Sequence, residues 1–470
     1  MQSRQPLQLP AFRLGDIRGR YPEEIDEPFV TAFARAFVAR FELEGVIVTG
    51  RDMRPSSVSL QQALNVALSE CGLDVQDLGL CPTELGYFAS TRSGVSACII
   101  VTASHNPPAY NGLKCVLAGG RAVTFDTGLD DVMALMLEGS PSHIRQAKGR
   151  IQVLDLVGEY IQFLANHFPV ESLNAGRIAL NGLNGTAATL AVNIADSFDL
   201  PVTWFRREPG PIPEEGADPG KPRLTQEMKE FMSAEDFSLG VAWDGDCDRC
   251  VLFDSNGDMI PTYYVIGLLA DHFLRRQPGA PIVFDTKLCW NTIDVIQAAG
   301  GKPVPSETGH AFVKRRMKES RAIYGGELSS HHFFGDFFHC DSGMFAWLTA
   351  TQLASNGVSI GDLIAERRQE VCCTPEINLS LADVGAALEA LDKAFRPDAV
   401  AVRQFDGISF EMKGGWRFSV CPSKTEPLVR TNFESRGHPE RLLEHTREVL
   451  DTLSGFEPSP VSHEADIRIV

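Results

Sequence analysis

Residues 98–107 read CIIVTASHNP, an apolar run that changes abruptly into small and polar residues. The apolar half predicts a buried β-strand, because parallel strands covered on both faces are near-continuous hydrophobic runs. Ligands of open α/β sheets bind beyond the carboxyl ends of the strands, so residues 102–107 (the serine loop) lie where a reactive side chain is useful. Ser104 is therefore a candidate nucleophile, although an ordinary turn would have the same composition.

Other short apolar runs repeat this arrangement, and each is followed by a polar or glycine-containing loop and then by a helix-like stretch. They are residues 46–48, 178–180, 239–242 and 282–284. Phenylalanine recurs at every fourth position from Phe29 to Phe41, which predicts a helix with one aromatic stripe packed against a sheet. The pattern predicts an α/β fold built on parallel strands.

A chain of 470 residues is too long for one hydrophobic core. Polar or turn-rich stretches near residues 139–148, 249–257 and 370–375 suggest boundaries, and strand-like pieces with one late helix, residues 439–453, follow Pro375. We expect three similar mixed-sheet α/β domains and a smaller C-terminal α+β domain. Their predicted bounds are residues 1–146, 147–251, 252–372 and 373–470.

The composition excludes several classes of partner. A formal charge of −18 disfavours nucleic acid and anionic lipid, and no apolar run approaches the length of a membrane span. The first residues do not resemble a secretory signal, so we expect a cytoplasmic protein with reduced thiols among its eleven cysteines. Cys247 and Cys250 form a CxxC, but no further soft ligands stand at zinc-site spacing.

The aspartate loop, residues 244–249 with the sequence DGDCDR, also follows an apolar run directly. Alternating carboxylates project to one side of an extended loop, and hard oxygen ligands suit Mg²⁺ with room for a phosphoryl oxygen. A calcium EF-hand would need a later Gly and Glu that are not in place. The remaining alternative is a solvated acidic turn, and three aspartates in five residues favour the metal site.

Two further loops carry candidate ligand-binding groups. The histidine loop, residues 325–334, reads GGELSSHHFF, and its Glu327 and Ser329 can hydrogen-bond adjacent sugar hydroxyls while one of the two histidines faces the ligand. The C-terminal loop, residues 422–427, reads PSKTEP and is followed by Arg430 and Arg436. Its hydroxyls, amides and lysine suit a phosphate group, although a surface turn would look alike.

Together and in this order, these four loops resemble those of the α-D-phosphohexomutase family along nearly the whole chain. Further motifs make the chain most similar to the bacterial phosphomannomutases of that family. They are Asp16-Ile17-Arg18-Gly19, Asn111-Gly112-Leu113-Lys114, Thr308-Gly309-His310 and residues 326–332. The resemblance implies four domains around a central cleft, each contributing one loop. It also implies an enzyme that moves phosphate between O1 and O6 of a hexose through a hexose 1,6-bisphosphate.

The resemblance also implies roles for individual residues. Ser104 is the phosphoserine and a metal ligand, Asp244, Asp246 and Asp248 hold one Mg²⁺, and Arg249 offsets charge on the transferring group. Proton transfer and stabilisation of sugar oxygens are expected from Lys114, His331 and Arg18. Lys114 can act as a base only if neighbouring cations lower its pKa. The expected substrate-binding residues are Glu327, Ser329, Lys287, His310, Ser423, Lys424, Thr425 and Arg430.

The chain departs from the family pattern at a few positions. These are Gly15 for an aromatic residue, Ala217-Asp218-Pro219 for Pro-Asn-Pro, and Cys421 and Lys424 for an arginine and an asparagine. They bear on substrate affinity, while the candidate chemical residues are all present.

Several functions remain open from the sequence alone. Small sugar phosphates are the expected partners, with a hexose 1,6-bisphosphate as activator, and the chain is expected to be a monomer or homodimer. Mannose phosphate is the expected substrate, and glucose phosphate is the alternative, because Glu327 and Ser329 would contact O3 and O4, which both sugars share. More distant alternatives are a metal-dependent sugar phosphatase and a non-catalytic sugar-phosphate binder.

Overall fold

The computed structural model describes residues 9–139, 147–422, 428–456 and 467–470. The phenylalanine stripe forms the predicted helix, α1 (Glu27–Phe41), which begins where the carboxylate of Asp26 accepts a hydrogen bond from the Phe29 amide at 2.8 Å. Phe33 and Phe37 are fully buried. The helix is therefore stabilised both by the cap at its first turn and by burial of its apolar face.

The remaining helices of the described residues are α2 (Pro55–Glu70), α3 (Thr83–Ser90), α4 (Leu129–Leu137), α5 (Val157–His167), α6 (Ala188–Ser197), α7 (Pro222–Met232), α8 (Thr262–Arg276), α9 (Trp290–Ala298), α10 (His310–Ser320), α11 (Gly343–Leu353), α12 (Ile360–Glu370), α13 (Val384–Phe395) and α14 (Pro439–Ser454). Within the described residues, each helix is too short or too polar to cross a lipid bilayer.

The strands are β1 (Ile17–Arg20), β2 (Val46–Arg51), β3 (Asp74–Leu80), β4 (Val95–Val101), β5 (Tyr110–Leu117), β6 (Arg121–Ala122), β7 (Ile151–Val153), β8 (Ile178–Asn181), β9 (Val202–Phe205), β10 (Leu239–Trp243), β11 (Cys250–Phe253), β12 (Pro281–Asp285), β13 (Lys302–Ser306), β14 (Tyr324–Gly326), β15 (His332–Phe334), β16 (Cys340–Asp341), β17 (Val371–Cys373), β18 (Ile377–Leu379), β19 (Ala399–Gln404), β20 (Ile408–Met412), β21 (Trp416–Pro422) and β22 (Val429–Arg436). Each apolar run identified in the sequence lies in a strand, which confirms those predictions.

The chain divides into two compact units. Unit 1 comprises Met1–Ile260, His310–Tyr324 and Ser329–Ile360, and unit 2 comprises Pro261–Gly309, Gly325–Leu328 and Gly361–Val470.

Unit 1 contains two mixed sheets that present their loops at strand ends. In the first the order is β1-β5-β4-β2-β3-β7, with β6 beside β5, and β2 runs parallel to both β3 and β4. In the second the order is β11-β10-β8-β9, with β8 and β10 parallel. The serine loop follows β4 and the aspartate loop follows β10. Both loops thus leave the carboxyl end of a strand that has a parallel neighbour, as predicted.

Unit 2 combines a parallel pair, β12 and β13, with a separate antiparallel sheet. That sheet has the order β17-β22-β21-β20-β19, with β18 also beside β22. The helices α13 and α14 pack on its apolar face through residues such as Leu391 and Leu442. An antiparallel sheet covered by two helices is the α+β arrangement predicted for the segment after Pro375.

The structure describes all eleven cysteines; none of them forms a disulfide bond, and ten of them are buried. Burial raises the pKa of the Cys289 thiol to about 12, because the thiolate would lose its hydration. The expectation of reduced cysteines stays a prediction.

Candidate active site

The serine loop and the aspartate loop meet in unit 1. The Oγ of Ser104 donates a hydrogen bond to Oδ2 of Asp244 at 2.6 Å, and Ser104 is only 3% exposed. Ser104 has a φ of +49°, a left-handed conformation that is uncommon for serine. A Cβ at position 245 would lie 2.5 Å from the Ser104 carbonyl oxygen, so only glycine permits this approach.

Asp244, Asp246 and Asp248 form one fully buried carboxylate cluster. One oxygen from each lies within 4.8 Å of the other two. Oδ1 of Asp246 has no hydrogen-bonding partner within the described part of the chain. Three hard oxygen donors with an unpaired oxygen among them fit a divalent cation, so the residues present match the predicted metal site.

Burial and nearby charges shift the pKa values of Asp244 and Asp248 in opposite directions. Burial, reinforced by the charges of Asp248 and Asp246, raises the pKa of Asp244 well above its ordinary value. Burial also acts to raise the pKa of Asp248, but Lys114 and His331 outweigh it and hold that pKa well below the ordinary range. The ionised form of Asp248 is therefore stabilised by nearby positive charge.

The pairing of strands in the first sheet places two of the predicted basic side chains, Lys114 and Arg18, near this cluster. On β5, Lys114 lies opposite Ile100 of β4, and its Nζ contacts Asp248 and lies 2.8 Å from Oδ2 of Asp246. On β1, Arg18 donates a hydrogen bond to the carbonyl oxygen of Thr102. Lys114 thus reaches the site from the strand next to the one that ends in the serine loop, and Arg18 reaches it from the following strand of the sheet.

The three carboxylates around Lys114 favour the protonated form of its side chain. Burial lowers the affinity of its ammonium for the proton, but the carboxylates of Asp246, Asp248 and Asp244 outweigh burial and raise the pKa of Lys114. The opposing charge of Arg18 is a smaller effect. Lys114 is thus held as a cation and hydrogen-bond donor.

The histidine loop contributes His331 beside the aspartate loop. His331 pairs with Arg249 through an antiparallel bridge, and its Nε2 lies 3.2 Å from Oδ1 of Asp248. Its Nδ1 is 2.8 Å from the Oγ of Ser329. His310 stacks on His331 with ring centroids 6.1 Å apart. Unit 1 therefore brings these predicted site residues together around the carboxylate cluster.

The neighbouring histidine, His332, has a different environment. It is 1% exposed, its Nδ1 lies 2.7 Å from the hydroxyl of Tyr324, and burial lowers its pKa to about 3. The two adjacent histidines therefore differ, because His331 lies beside Asp248 whereas His332 is packed in the core.

Three further predicted residues lie in unit 2. The Nζ of Lys287 is 3.0 Å from Glu376, and the same carboxylate group lies 3.7 Å from the Nε of Arg430 on β22. Glu327 accepts a hydrogen bond from the Gly309 amide at 2.6 Å. Burial acts against the charge of Lys287, but Glu376 and Asp285 outweigh it and raise its pKa. Ser423, Lys424 and Thr425 lie outside the described residues.

Sequence reasoning missed Arg54. This arginine is 2% exposed and pairs with the carboxylate of Asp52 at 3.0 Å. Its guanidinium donates to backbone carbonyl oxygens of the serine loop and of the segment that follows it, namely Ser104 at 2.9 Å, Asn106 at 2.6 Å, Pro107 at 2.7 Å and Tyr110 at 3.0 Å. The GRD motif at residues 50–52 marks this strand end as a possible site, but the sequence cannot show that the nearby charged side chain of Arg54 is buried.

Two other features also escaped the sequence analysis. The hydroxyls of Thr83 and Thr102 donate to Oδ2 of Asp246 at 2.9 and 3.0 Å. Asp341 forms a second possible ligand group with Asp248 and His331, and it pairs with Lys314 at 2.9 Å. Single threonine and aspartate residues carry no distinctive pattern, so no sequence signal could have identified these contacts.

Comparison with known proteins assigns the chain to a family. Three domain profiles match, namely phosphoglucomutase/phosphomannomutase alpha/beta/alpha domain I at residues 10–138, domain II at residues 158–257 and domain III at residues 261–371. The chain belongs to the phosphoglucomutase/phosphomannomutase family.

Curated relatives and a solved structure agree with this assignment. The chain is 39% identical to a phosphomannomutase of Escherichia coli K12, over 95% of this chain and 99% of the relative. It is 37% identical to a protein named "phosphohexose mutases" from Xanthomonas campestris pv. campestris, over 96% and 100%. A crystal structure of a phosphoglucomutase/phosphomannomutase family protein from Burkholderia thailandensis has a TM-score of 0.85 and 28% identity, covering 97% of this chain and 100% of that one.

These findings confirm the predicted family and fold class, and they support the predicted hexose phosphate mutase activity. The predicted domain bounds and residue roles stay predictions.

Proposed function

We propose that this enzyme interconverts mannose 6-phosphate and mannose 1-phosphate through a phosphorylated Ser104 and a hexose 1,6-bisphosphate. The observation that carries the proposal is the 2.6 Å contact between Ser104 and Asp244 inside a buried cluster of three carboxylates. A hydroxyl beside a cation site is the arrangement that reversible phosphoryl transfer requires. The names of the curated relatives support mannose as the sugar.

Asp244, Asp246 and Asp248 would hold one Mg²⁺, with the phosphoserine as a further ligand. The metal would supply positive charge that offsets the charge of the transferring phosphoryl group. Arg249 would have the same task, since its Nε lies 3.9 Å from Asp244. Because phosphoryl transfer depends mostly on positioning and electrostatics, rigid burial of these groups favours the reaction.

His331 is our candidate for proton transfer, because one ring nitrogen faces Asp248 and the other faces a serine hydroxyl. Lys114 and Arg18 would donate hydrogen bonds to sugar and phosphate oxygens. The raised pKa of Lys114 favours this donor role over that of a base.

Glu327 and Ser329 are proposed to bind the sugar hydroxyls, with Lys287 and His310 as further ligands of the bisphosphate. The phosphate that is not reacting would be held by Arg430 and by Ser423, Lys424 and Thr425. Cys421 is buried on β21 opposite Arg430, so it supplies no cation in place of the arginine usual in relatives. Lys424→Ala should then raise KM about tenfold or more for both sugar phosphates, since the lost contact is to phosphate.

Initial rates with mannose 1-phosphate and glucose 1-phosphate, each with its 1,6-bisphosphate as activator, test the proposal. We expect turnover of both sugars and a higher kcat/KM for mannose 1-phosphate. A higher kcat/KM for glucose 1-phosphate would show that glucose phosphate is the preferred substrate and would leave the proposed mechanism unchanged. Phosphorus NMR of the same reactions separates a mutase, which conserves sugar phosphate, from a phosphatase, which releases inorganic phosphate.

We further propose the four-domain division at residues 1–146, 147–251, 252–372 and 373–470. We also propose that the protein is cytoplasmic and that it is a monomer or a homodimer. Sedimentation velocity of the purified protein distinguishes the two oligomeric states.

A further inference from the structure

The two oxygens of the Asp246 carboxylate have different environments. Oδ2 accepts hydrogen bonds from the hydroxyls of Thr83 and Thr102 and lies 2.8 Å from the ammonium of Lys114. Oδ1 has no hydrogen-bonding partner among the described residues, although Asp246 is fully buried. A carboxylate held by one oxygen has the other free for a ligand.

The direction of each hydrogen bond is fixed by chemistry. The backbone amide of Ser104 donates to Oγ1 of Thr102 at 2.8 Å, so the single hydroxyl proton of Thr102 is left for Asp246. The nucleophile's own backbone is thereby connected to the carboxylate through one threonine. Thr102 and Ser104 are almost completely buried, so no water competes for the hydrogen bonds that join Ser104 through Thr102 to Asp246.

Thr83 holds Asp246 at two points. Its amide donates to the Asp246 carbonyl oxygen at 3.0 Å, and its hydroxyl donates to Oδ2 at 2.9 Å. Thr83 is the first residue of α3 and is fully buried, so packing restricts its side chain. Backbone and side chain of Asp246 are thus oriented by one residue that is 163 positions away in the chain.

We propose that Thr83 and Thr102 are positioning residues for the metal site, because they hold Oδ2 of Asp246 and thereby direct Oδ1 toward the cation. This inference rests on the proposed metal-binding role of the aspartate loop. The hydroxyl protons of both threonines are donated to Asp246, so we assign neither threonine as a ligand of the metal or the substrate. Their effect should therefore be seen first in metal affinity.

Titration of the full-length protein with Mn²⁺, followed by the electron paramagnetic resonance signal of the free ion, tests this proposal. Thr83→Val removes the hydroxyl and keeps the side-chain shape. Its dissociation constant for Mn²⁺ should rise about 10- to 100-fold, the usual effect of losing a group that orients a metal ligand. Thr83→Ser keeps the hydroxyl and should bind within about threefold of wild type.

Thr349→Val is the matched control. Thr349 is also fully buried, and its hydroxyl donates to the Phe345 carbonyl oxygen at 2.8 Å within α11. This variant should bind Mn²⁺ as wild type does. Wild-type affinity in Thr83→Val, equal weakness of Thr83→Val and Thr83→Ser, or a comparable loss in Thr349→Val would each overturn the inference.

Failure of the proposed metal site gives a different result. If wild type and Asp246→Asn bind Mn²⁺ equally poorly, the aspartate loop is not a metal site, whatever the threonines do. If Thr83→Val does not fold, as judged by near-UV circular dichroism, the pair Thr102→Val and Thr102→Ser decides the question by the same comparison.

Discussion

The hydroxyl of Ser104 and the carboxylate of Asp244 are joined by a 2.6 Å hydrogen bond, although 140 positions separate them in the chain. The contact requires Gly245, since any side chain there would collide with the Ser104 carbonyl oxygen. The serine and aspartate loops therefore act as one chemical unit. A change in either loop should affect the chemistry assigned to both.

Ser104 should carry phosphate in a fraction of purified molecules, because the proposed reaction begins from a phosphorylated enzyme. Intact mass and peptide mapping check this, and the Ser104→Ala variant should lack the modification. A preparation that shows no phosphate on Ser104, even after treatment with the hexose 1,6-bisphosphate, would rule out the covalent mechanism.

Asp246→Asn should lower kcat by about 10²- to 10³-fold, since it weakens charge stabilisation in the transition state. KM for the sugar phosphate should change much less. Removal of metal with EDTA should reproduce the effect in wild type, and added Mg²⁺ should reverse it. Full activity of the metal-stripped enzyme would contradict the assignment of the aspartate loop.

The two adjacent histidines should respond differently to replacement. His331→Ala should lower kcat by about 10²-fold or more, because this ring lies 3.2 Å from Asp248. His332→Ala should instead lower the free energy of unfolding by about 2 kcal/mol, through a lost contact with Tyr324 and a cavity. Kinetics and urea unfolding of both variants provide the measurement, and the reverse pattern would exchange the two roles.

Arg54→Lys should lower both activity and stability. An ammonium cannot pair with Asp52 and also reach the carbonyl oxygens that Arg54 binds, so Ser104 loses its fixed position. We expect about a 10²-fold loss in kcat, typical of a misplaced reactive group. Arg35→Lys, at a partly exposed pair with Glu70, is the control and should change stability by less than about 1 kcal/mol. Equal behaviour of the two variants would refute the role of Arg54.

The fully buried carboxyl group of Glu84 should make stability depend on pH. Burial raises its pKa from 4.5 to about 8, despite hydrogen bonds from the Ser342 hydroxyl and the Met344 amide. Between these values the folded state keeps a proton that the unfolded state has lost, so the contribution of Glu84 to the free energy of unfolding falls as pH rises. The loss is at most about 1.4 kcal/mol per pH unit and is complete above pH 8.

Glu84→Gln tests this dependence because glutamine does not titrate. Urea unfolding at several pH values should show wild type losing stability relative to the variant as pH rises toward 8. Parallel curves for the two proteins would show that Glu84 does not titrate in this range.

The local sequence was sufficient to predict the strands, the aromatic helix and the positions of the loops that carry candidate reactive groups. The apolar run at residues 98–101 and the phenylalanines of α1 have the periodicity of the elements that they form. Ser104 and the three aspartates were found because reactive residues follow buried strands directly. In each case the signal lies within about ten neighbouring residues, where periodicity and turn chemistry operate.

Only the tertiary structure decided which of these residues meet and what surrounds them. The hydrogen bonds of Arg54 to the serine loop, the hydroxyls of Thr83 and Thr102 on Asp246, and the carboxylates that raise the pKa of Lys114 join residues that are far apart in the chain. Burial and charge at one atom depend on every element packed around it, and no local pattern records them. The sequence alone therefore determined the candidate chemical groups and their family, whereas the packing of the sheets determined their geometry, their protonation and the side chains that hold them in place.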